Sequence, residues 1–383
     1  MGIIFSSFNG LEPLLRFCEF KGNLPQVELS ELFHKCTQKN RNGAINNVIC
    51  NSAKNGLIPQ RDFFDKDIVN SENTTGYYII KNNDFVYNPR KSNEAPYGPV
   101  SIYKDAEDGI VSPLYLCFRA TAPLCAEYFE MYFKSPAWHR YVYLMGDSGA
   151  RHDRVSIKDE VFFDMPVRTP SLSEQQKIAD FLSLVDQRIE KQRLLVESLK
   201  KYKRGLFSYY FQKNKSYKIA RLGDFAKIYQ PSTISQSQFN DGEYKVFGAN
   251  GYIGNYDQYN HETPQVTISC RGEKCGTVNF VDAYTWITGN SMVVNIDEQN
   301  KINKRYLYHC LSNQNLKYLV SGSAQPQIIR SDVARHSIPV PSIEFQEKLS
   351  FFLDSIEQKI KNEQIMEESL LDMKNAFLQQ MFI

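Results

Sequence analysis

The sequence has no long apolar run: no stretch approaches the roughly 18 consecutive apolar residues that a membrane helix needs. That excludes a helical membrane protein, and 42% hydrophobic with 23% charged residues fits a globular chain with no membrane partner. It also has no excess of charge of one sign. Basic residues number 45 and acidic residues 43, a net charge of +2, so the total neither selects nor excludes a polyanionic partner, because a basic face can sit inside a balanced sum. The eight cysteines, at 18, 36, 50, 117, 125, 270, 275 and 310, form no disulfide framework, and no secretory signal precedes them. Reduced thiols in a cytoplasm are expected. Cys270 and Cys275 have zinc-like spacing, yet no second Cys/Cys or Cys/His pair follows, so no metal is expected.

Complete catalytic signatures are missing as well. There is no GxxxxGK[ST] phosphate loop, and the Gly-rich Gly248–Gly254 stretch has neither the lysine nor the helix that would hold a nucleotide, so it reads as a turn. Neither a GxSxG elbow nor an HExxH run occurs. Asn88-Pro89-Arg90 follows an apolar strand as the Asn-Pro-Pro-aromatic loop of adenine methyltransferases does, but the second proline and the aromatic are absent. Asp224, Glu243 and Lys245 can be written as a metal-dependent nuclease pattern, at a spacing too permissive to select one. The six histidines are isolated, and His309-Cys310 and His34 with Cys36 read as core or surface residues rather than dyads.

What is present is an internal repeat. Pro170–Phe211 aligns without a gap to Pro341–Phe382 at an offset of 171 residues, with identities that include Pro170, Ser171, Gln175, Lys177, Phe181, Leu182, Gln187, Ile189, Ser198, Leu199, Lys203 and Phe211. Apolar positions recur at alternating spacings of four and three through Ile178, Leu182, Val185, Ile189 and Leu199, and through Leu349, Leu353, Ile356, Ile360 and Leu370. That period predicts one long helix per copy, with these residues as the seam of a pair. Pro-Ser precedes each run, no proline interrupts it, and Gly205 marks a point where the first helix can bend. Residues 171–215 carry ten Lys/Arg and five Asp/Glu, whereas 342–383 carry four and eight. Opposite net charge suits two helices that pair, the alternative being that each packs on its own neighbouring domain.

The intervening segments repeat more weakly. Val27–Leu32 resembles Ala220–Phe225 as an opening, and Met165–Val167 resembles Ile338–Val340 as a closing. Short runs rich in Tyr, Phe, Val and Ile, such as Tyr77–Ile80, Phe85–Tyr87 and Val266–Ile268, alternate with helical stretches such as Ala126–Phe133. The expected fold class is α+β: two globular domains, 1–169 and 214–340, separated by long antiparallel helices at 170–213 and 341–383, with an internal pseudo-two-fold repeat. The direction follows from length. A 42-residue helix is about 60 Å long at 1.5 Å per residue, whereas a domain of about 120 residues has a radius of gyration of about 14 Å and cannot carry the chain back along it.

Polar residues in the loops of both domains suit nucleic acid. Asn88, Arg90, Lys91 and Asn93 mix basic and amide groups in the first, joined by Arg151, His152 and Arg154. In the second, Asn250, Tyr252, Asn255 and Tyr256 are read as lying in a Gly-rich turn, Arg271 and Lys274 on another loop, and Gln325 and Gln327 near the end. Arginine can donate two hydrogen bonds to guanine, Asn or Gln can pair with adenine, and Lys and Arg neutralise phosphates.

The arrangement resembles the specificity subunit of type I restriction-modification systems. The resemblance rests on a proline-rich close running into a Glu-Gln-x-x-Ile helix, Pro166–Ile178 here, repeated in degenerate form as Pro339–Leu349. Ser321–Ile328, the opening Leu15–Phe17 and Gly276–Val278 match as well, over nearly the whole chain. Phe345 stands where the family favours Glu, and the family's Trp near Val27 is missing. The resemblance implies a chain without catalysis whose two target recognition domains each read half of a bipartite, asymmetric site in double-stranded DNA. The helices would then set the spacing and dock two adenine methyltransferase subunits. S-adenosylmethionine, ATP and Mg²⁺ would bind partner subunits, among them a motor/endonuclease, and none would bind this chain. A self-contained nuclease with a coiled-coil spacer and a non-DNA assembly scaffold remain the alternatives.

Overall fold

Two helices dominate the computed structural model, Leu172–Lys213 of 42 residues and Ile343–Met381 of 39. Each begins as its sequence dictates, with the repeated serine accepting from an amide of the first turn: Ser171 Oγ from Glu174 at 3.3 Å and Ser342 Oγ from Phe345 at 3.4 Å. The first runs unbroken through Gly205, where a bend was expected. An added Cβ there would meet nothing within 4 Å, so the glycine is neither cramped nor needed for a close approach. None of the helices among the described residues is long and apolar enough to cross a membrane.

The structure describes residues 3–5, 13–63, 74–146, 153–213, 217–322 and 325–382, which divide into two units, 1–191 with 366–383 and 192–365. Each long helix therefore contributes to both units, a division that boundaries at 169, 213 and 340 do not express.

In the first unit a four-stranded antiparallel sheet has the order Phe33–Lys35, Leu116–Ala120, Phe85–Tyr87, Val100–Ile102. In the second unit the sheet with the order Lys227–Tyr229, Ser291–Asn295, Gln265–Ser269, Val278–Val281 is likewise antiparallel throughout. The accompanying sheets correspond in three strands, the first unit adding Tyr78–Ile80 beside Gly109–Val111. Val48–Ser52 runs parallel to Gly109–Val111, and Tyr244–Phe247 parallel to Thr285–Ile287, each with an antiparallel neighbour, Gly56–Pro59 or Tyr252–Tyr256. The weak opening and closing repeats are the two strands of one ribbon in each unit, Gln26–Glu28 with Pro166–Arg168 and Lys218–Arg221 with Ser337–Val340. The α+β class holds for both units.

Phe33 centres the first core, with the rings of Phe85, Phe118 and Phe129 at 5.1–5.4 Å and edge-on. The second core packs Tyr306, Leu307, Cys310 and Leu311 of the helix Lys304–Ser312 with Val266, Ile268, Met292 and Val294 of the sheet. Among the seam residues, Ile178 and Leu182 join the first core together with Leu378, Met381 and Phe382, and Leu349 and Leu353 join the second with Phe207. Ile356 and Ile360 pack with Val196 and Leu199 between the helices. Val185 is buried, while Ile189 and Leu370 are half-buried. In the first unit Phe181 meets Phe377 and Asp186 pairs with Lys374 at 2.5 Å; in the second Gln192 meets Glu363 and Lys203 pairs with Glu357 at 3.4 Å. Partner numbers fall as residue numbers rise, so the paired segments are antiparallel within each unit. Helix pairing and packing on the neighbouring domain, set as alternatives above, are both made by one apolar stripe.

The repeated glutamine explains how each helix is fixed. Gln175 accepts from the Cys125 amide at 3.0 Å and donates to the Pro170 carbonyl at 2.9 Å; Gln346 accepts from the Asn303 amide at 2.9 Å and donates to the Pro341 and Lys301 carbonyls at 3.0 Å. Cys125 and Asn303 are the caps of Ala126–Lys134 and Lys304–Ser312, so one buried amide group ties the start of each long helix to a helix of the domain beside it.

His309 and Cys310 lie in the second core, as read from the sequence. Burial pushes His309 down to about 4, outweighing its Nε2 contact with Asp354 at 2.6 Å, and burial does the same to His261. Both are neutral in the fold, whereas an unfolded histidine titrates near 6.5. Stability of this unit is therefore fully present above about pH 6.5 and lost as pH falls toward 4, by roughly 1.4 kcal/mol per pH unit for each histidine. Unfolding free energies from urea titrations should fall across that range, and His309→Gln should remove His309's share of the slope.

Candidate nucleic-acid interface

The loop after Phe85–Tyr87 is shaped by amides. Asn51, buried, donates to the Val86 and Pro99 carbonyls at 2.7 and 3.2 Å and accepts from Ser101 at 2.8 Å. Asn88 donates to the Asn51 carbonyl at 3.0 Å and accepts from the Arg90 amide at 3.1 Å. Gly98 has φ +82°, and a Cβ there would lie 2.2 Å from the Asn88 carbonyl oxygen, so this crossing requires glycine. Asn88 is thus half-buried and shapes the loop, while Arg90, Lys91 and Asn93 are exposed on it. Pairing of Arg90 with Arg154, and the bond from the Lys91 amide to the Asp153 carbonyl at 2.9 Å, bring Arg154 beside them. Together Arg90, Lys91 and Arg154 edge a concavity of about 330 Å³ that also exposes Tyr115, a residue the sequence did not single out. Burial raises the Tyr115 pKa, which keeps the phenol protonated and able to donate. Arg151 and His152 lie outside the described residues.

In the second unit the Gly248–Gly251 turn is pinned to the sheet by Ser291 Oγ, which donates to the Gly248 and Ala249 carbonyls at 2.8 and 3.1 Å, and by Ser269 Oγ, which donates to Ala249. Asn250 Oδ1 is buried there with no partner among the described residues. Two residues after Ser269, Arg271 pairs with Gln327, and the Gly272 amide bonds the Pro326 carbonyl at 3.2 Å. Arg271, Lys274, Gln325 and Gln327 are therefore gathered and exposed on adjoining loops. Tyr252 begins the strand after the turn, with its hydroxyl on Asp282 at 2.9 Å and the Lys245 ammonium 4.9 Å from its ring. Asn255 and Tyr256 lie further along that strand opposite Lys245 and Tyr244, Tyr256 edge-on to Trp286, so the structure does not bring them to the Arg271 cluster. Exposed Tyr284, at φ +52° between strands of two different sheets, also escaped the sequence reading, since only the backbone geometry marks it.

Asp224 caps a turn by accepting from the Arg221 amide at 3.2 Å, and Cys270 Sγ lies among Gln230 and two carbonyl oxygens. Among the described residues one trio, His309, Asp354 and Glu357, could converge on a cation, but Arg305 and Lys203 already pair with its carboxylates.

The family description "Type I restriction modification DNA specificity domain" matches this chain twice, over residues 26–197 and 214–370. The chain belongs to this family. The Escherichia coli type I restriction enzyme EcoprrI specificity subunit is 30% identical over 114 residues, covering 30% of this chain and 28% of that protein. A putative type I specificity subunit of Mycoplasma pneumoniae is 24% identical over 144 residues, 36% of this chain and 47% of the relative. The chain thus spans about a quarter to a half of the curated relatives' length. A crystal structure of the S subunit of a type I restriction-modification system from M. genitalium shares the fold, with a TM-score of 0.58 at 16% identity over 97% of this chain and 99% of that one.

Proposed function

We propose that this specificity-family chain binds double-stranded DNA through two different heads, each reading one half of a bipartite, asymmetric site, and has no catalytic activity of its own. The observation that carries the reading is the duplication. One four-stranded antiparallel sheet plan occurs in both units, while the polar groups gathered on the loops differ, Arg90, Lys91 and Arg154 on one and Arg271, Lys274, Gln325 and Gln327 on the other. Unlike reading surfaces on like frames select unlike half-sites, by the same logic that ties palindromic sites to identical subunits. The long helices set the half-site spacing. Exposed apolar groups on them, among them Leu184, Leu194, Leu195, Phe351, Phe352 and Met366, offer two methyltransferase subunits a surface. The methyltransferase subunits carry S-adenosylmethionine, and a motor/endonuclease subunit brings ATP and Mg²⁺, in the cytoplasm.

Incubating the purified chain with DNA, S-adenosylmethionine, ATP and Mg²⁺ should give neither methylation nor cleavage. Activity that disappeared on changing Asp224 or Glu243 would replace this reading with the nuclease.

A further inference from the structure

The two ion pairs between the long helices are one contact made twice. At the repeat offset of 171, Asp186 corresponds to Glu357 and Lys203 to Lys374, so Asp186–Lys374 and Lys203–Glu357 are equivalent. They cannot tell one helix from the other, because a helix of either kind paired with a second copy of itself would still set an acid against a lysine. Gln192 and Glu363 are different: each is the other's equivalent, and they meet each other. Gln192 is 5% exposed, and its Nε2 donates to Glu363 Oε2 at 2.6 Å and to the Glu363 carbonyl at 3.0 Å.

We propose that this pair decides which helices of the protein can join, admitting the first helix against the second and rejecting the second helix against a second copy of itself. Two second helices would set Glu363 against Glu363, two carboxylates with no donor between them at a half-buried position, where like charges repel and desolvation adds to the cost. They would also lose apolar contact, since the equivalent of Val196, which packs on Ile356 and Ile360, is Glu367. Two first helices would set Gln192 against Gln192 and Val196 against Val185 and Ile189, which is tolerable on both counts. The charged identity of residue 363 is what makes the pairing directional, and this holds whatever the heads bind.

The full chain can reproduce each juxtaposition internally. Q192E creates the Glu–Glu contact, E363Q the Gln–Gln contact, and the double variant Q192E/E363Q the native pair reversed. Thermal melting should place E363Q within about two degrees of the parent and Q192E several degrees lower, with the reversed pair regaining most of that loss. If Q192E fails to fold, a folded double variant carries the same information. A Q192E chain that melts with E363Q, or a double variant as unstable as Q192E, would overturn the proposal.

Discussion

Replacing Glu174 with alanine is expected to destabilise the first unit by about 3–5 kcal/mol, the usual cost of breaking a buried ion pair by removing one partner. Glu174 holds Arg16 through both oxygens, at 2.7 and 2.9 Å, with the arginine side chain 10% and the carboxylate 3% exposed. Without the carboxylate a largely buried guanidinium keeps its bond to the Gly22 carbonyl and loses both bonds to Glu174. The second copy places Phe345 at the equivalent position, with Tyr210 and Tyr217 each 5.7 Å away and Phe211 close by, so there the same site is an aromatic contact. Replacing both Arg16 and Glu174 with apolar residues should cost less than the single change, because a buried pair exchanged for packing is often neutral. Urea unfolding of the single and double variants checks both statements, and a Glu174→Ala loss below about 1 kcal/mol would contradict them.

Phe33→Ala should cost a comparable 3–5 kcal/mol. The ring is 1% exposed and touches three others edge-on, and it stands on an edge strand beside Leu116–Ala120, which in turn pairs with Phe85–Tyr87, the strand that runs into the Asn88–Lys91 loop. A cavity there loosens the strand that presents Arg90. Phe33→Leu, which removes less volume, should retain most of the stability when both variants are compared by thermal melting.

The long helices were legible because a heptad period over some forty residues has one structural solution, and because Pro-Ser starts and a 171-residue offset repeat it. Partition of the seam was not legible. Nothing in the spacing of Ile178 and Leu182 says that they face the first core as well as the partner helix, since that depends on which domain residues arrive from elsewhere in the chain. Duplication of the sheets was hidden for a related reason. Only the strand order is repeated, whereas the side chains of Phe85–Tyr87 and Gln265–Ser269 need only be apolar or small enough to pack. Of the candidate contacts, Arg90, Arg154, Arg271 and Gln327 were found as residue types on loops, and the structure supplies what joins them, backbone pairing across long sequence separations. Asn88 is drawn into holding its own loop, and Asn255 and Tyr256 follow a strand away from the turn, because a period-2 strand cannot keep consecutive residues at its end. Tyr115 carried no local signal at all.

The most direct test is to map methylated sites in DNA modified by a complex of this chain with the methyltransferase subunits proposed above, for the parent, Arg90→Ala and Arg271→Ala. Loss of a base contact costs about 1–3 kcal/mol, enough to relax a position by roughly ten- to a hundred-fold. Two separated, unlike half-sites are expected in the parent, with Arg90→Ala relaxing only one half and Arg271→Ala only the other. A single continuous site, or an Arg271→Ala variant that relaxed both halves equally, would contradict that expectation.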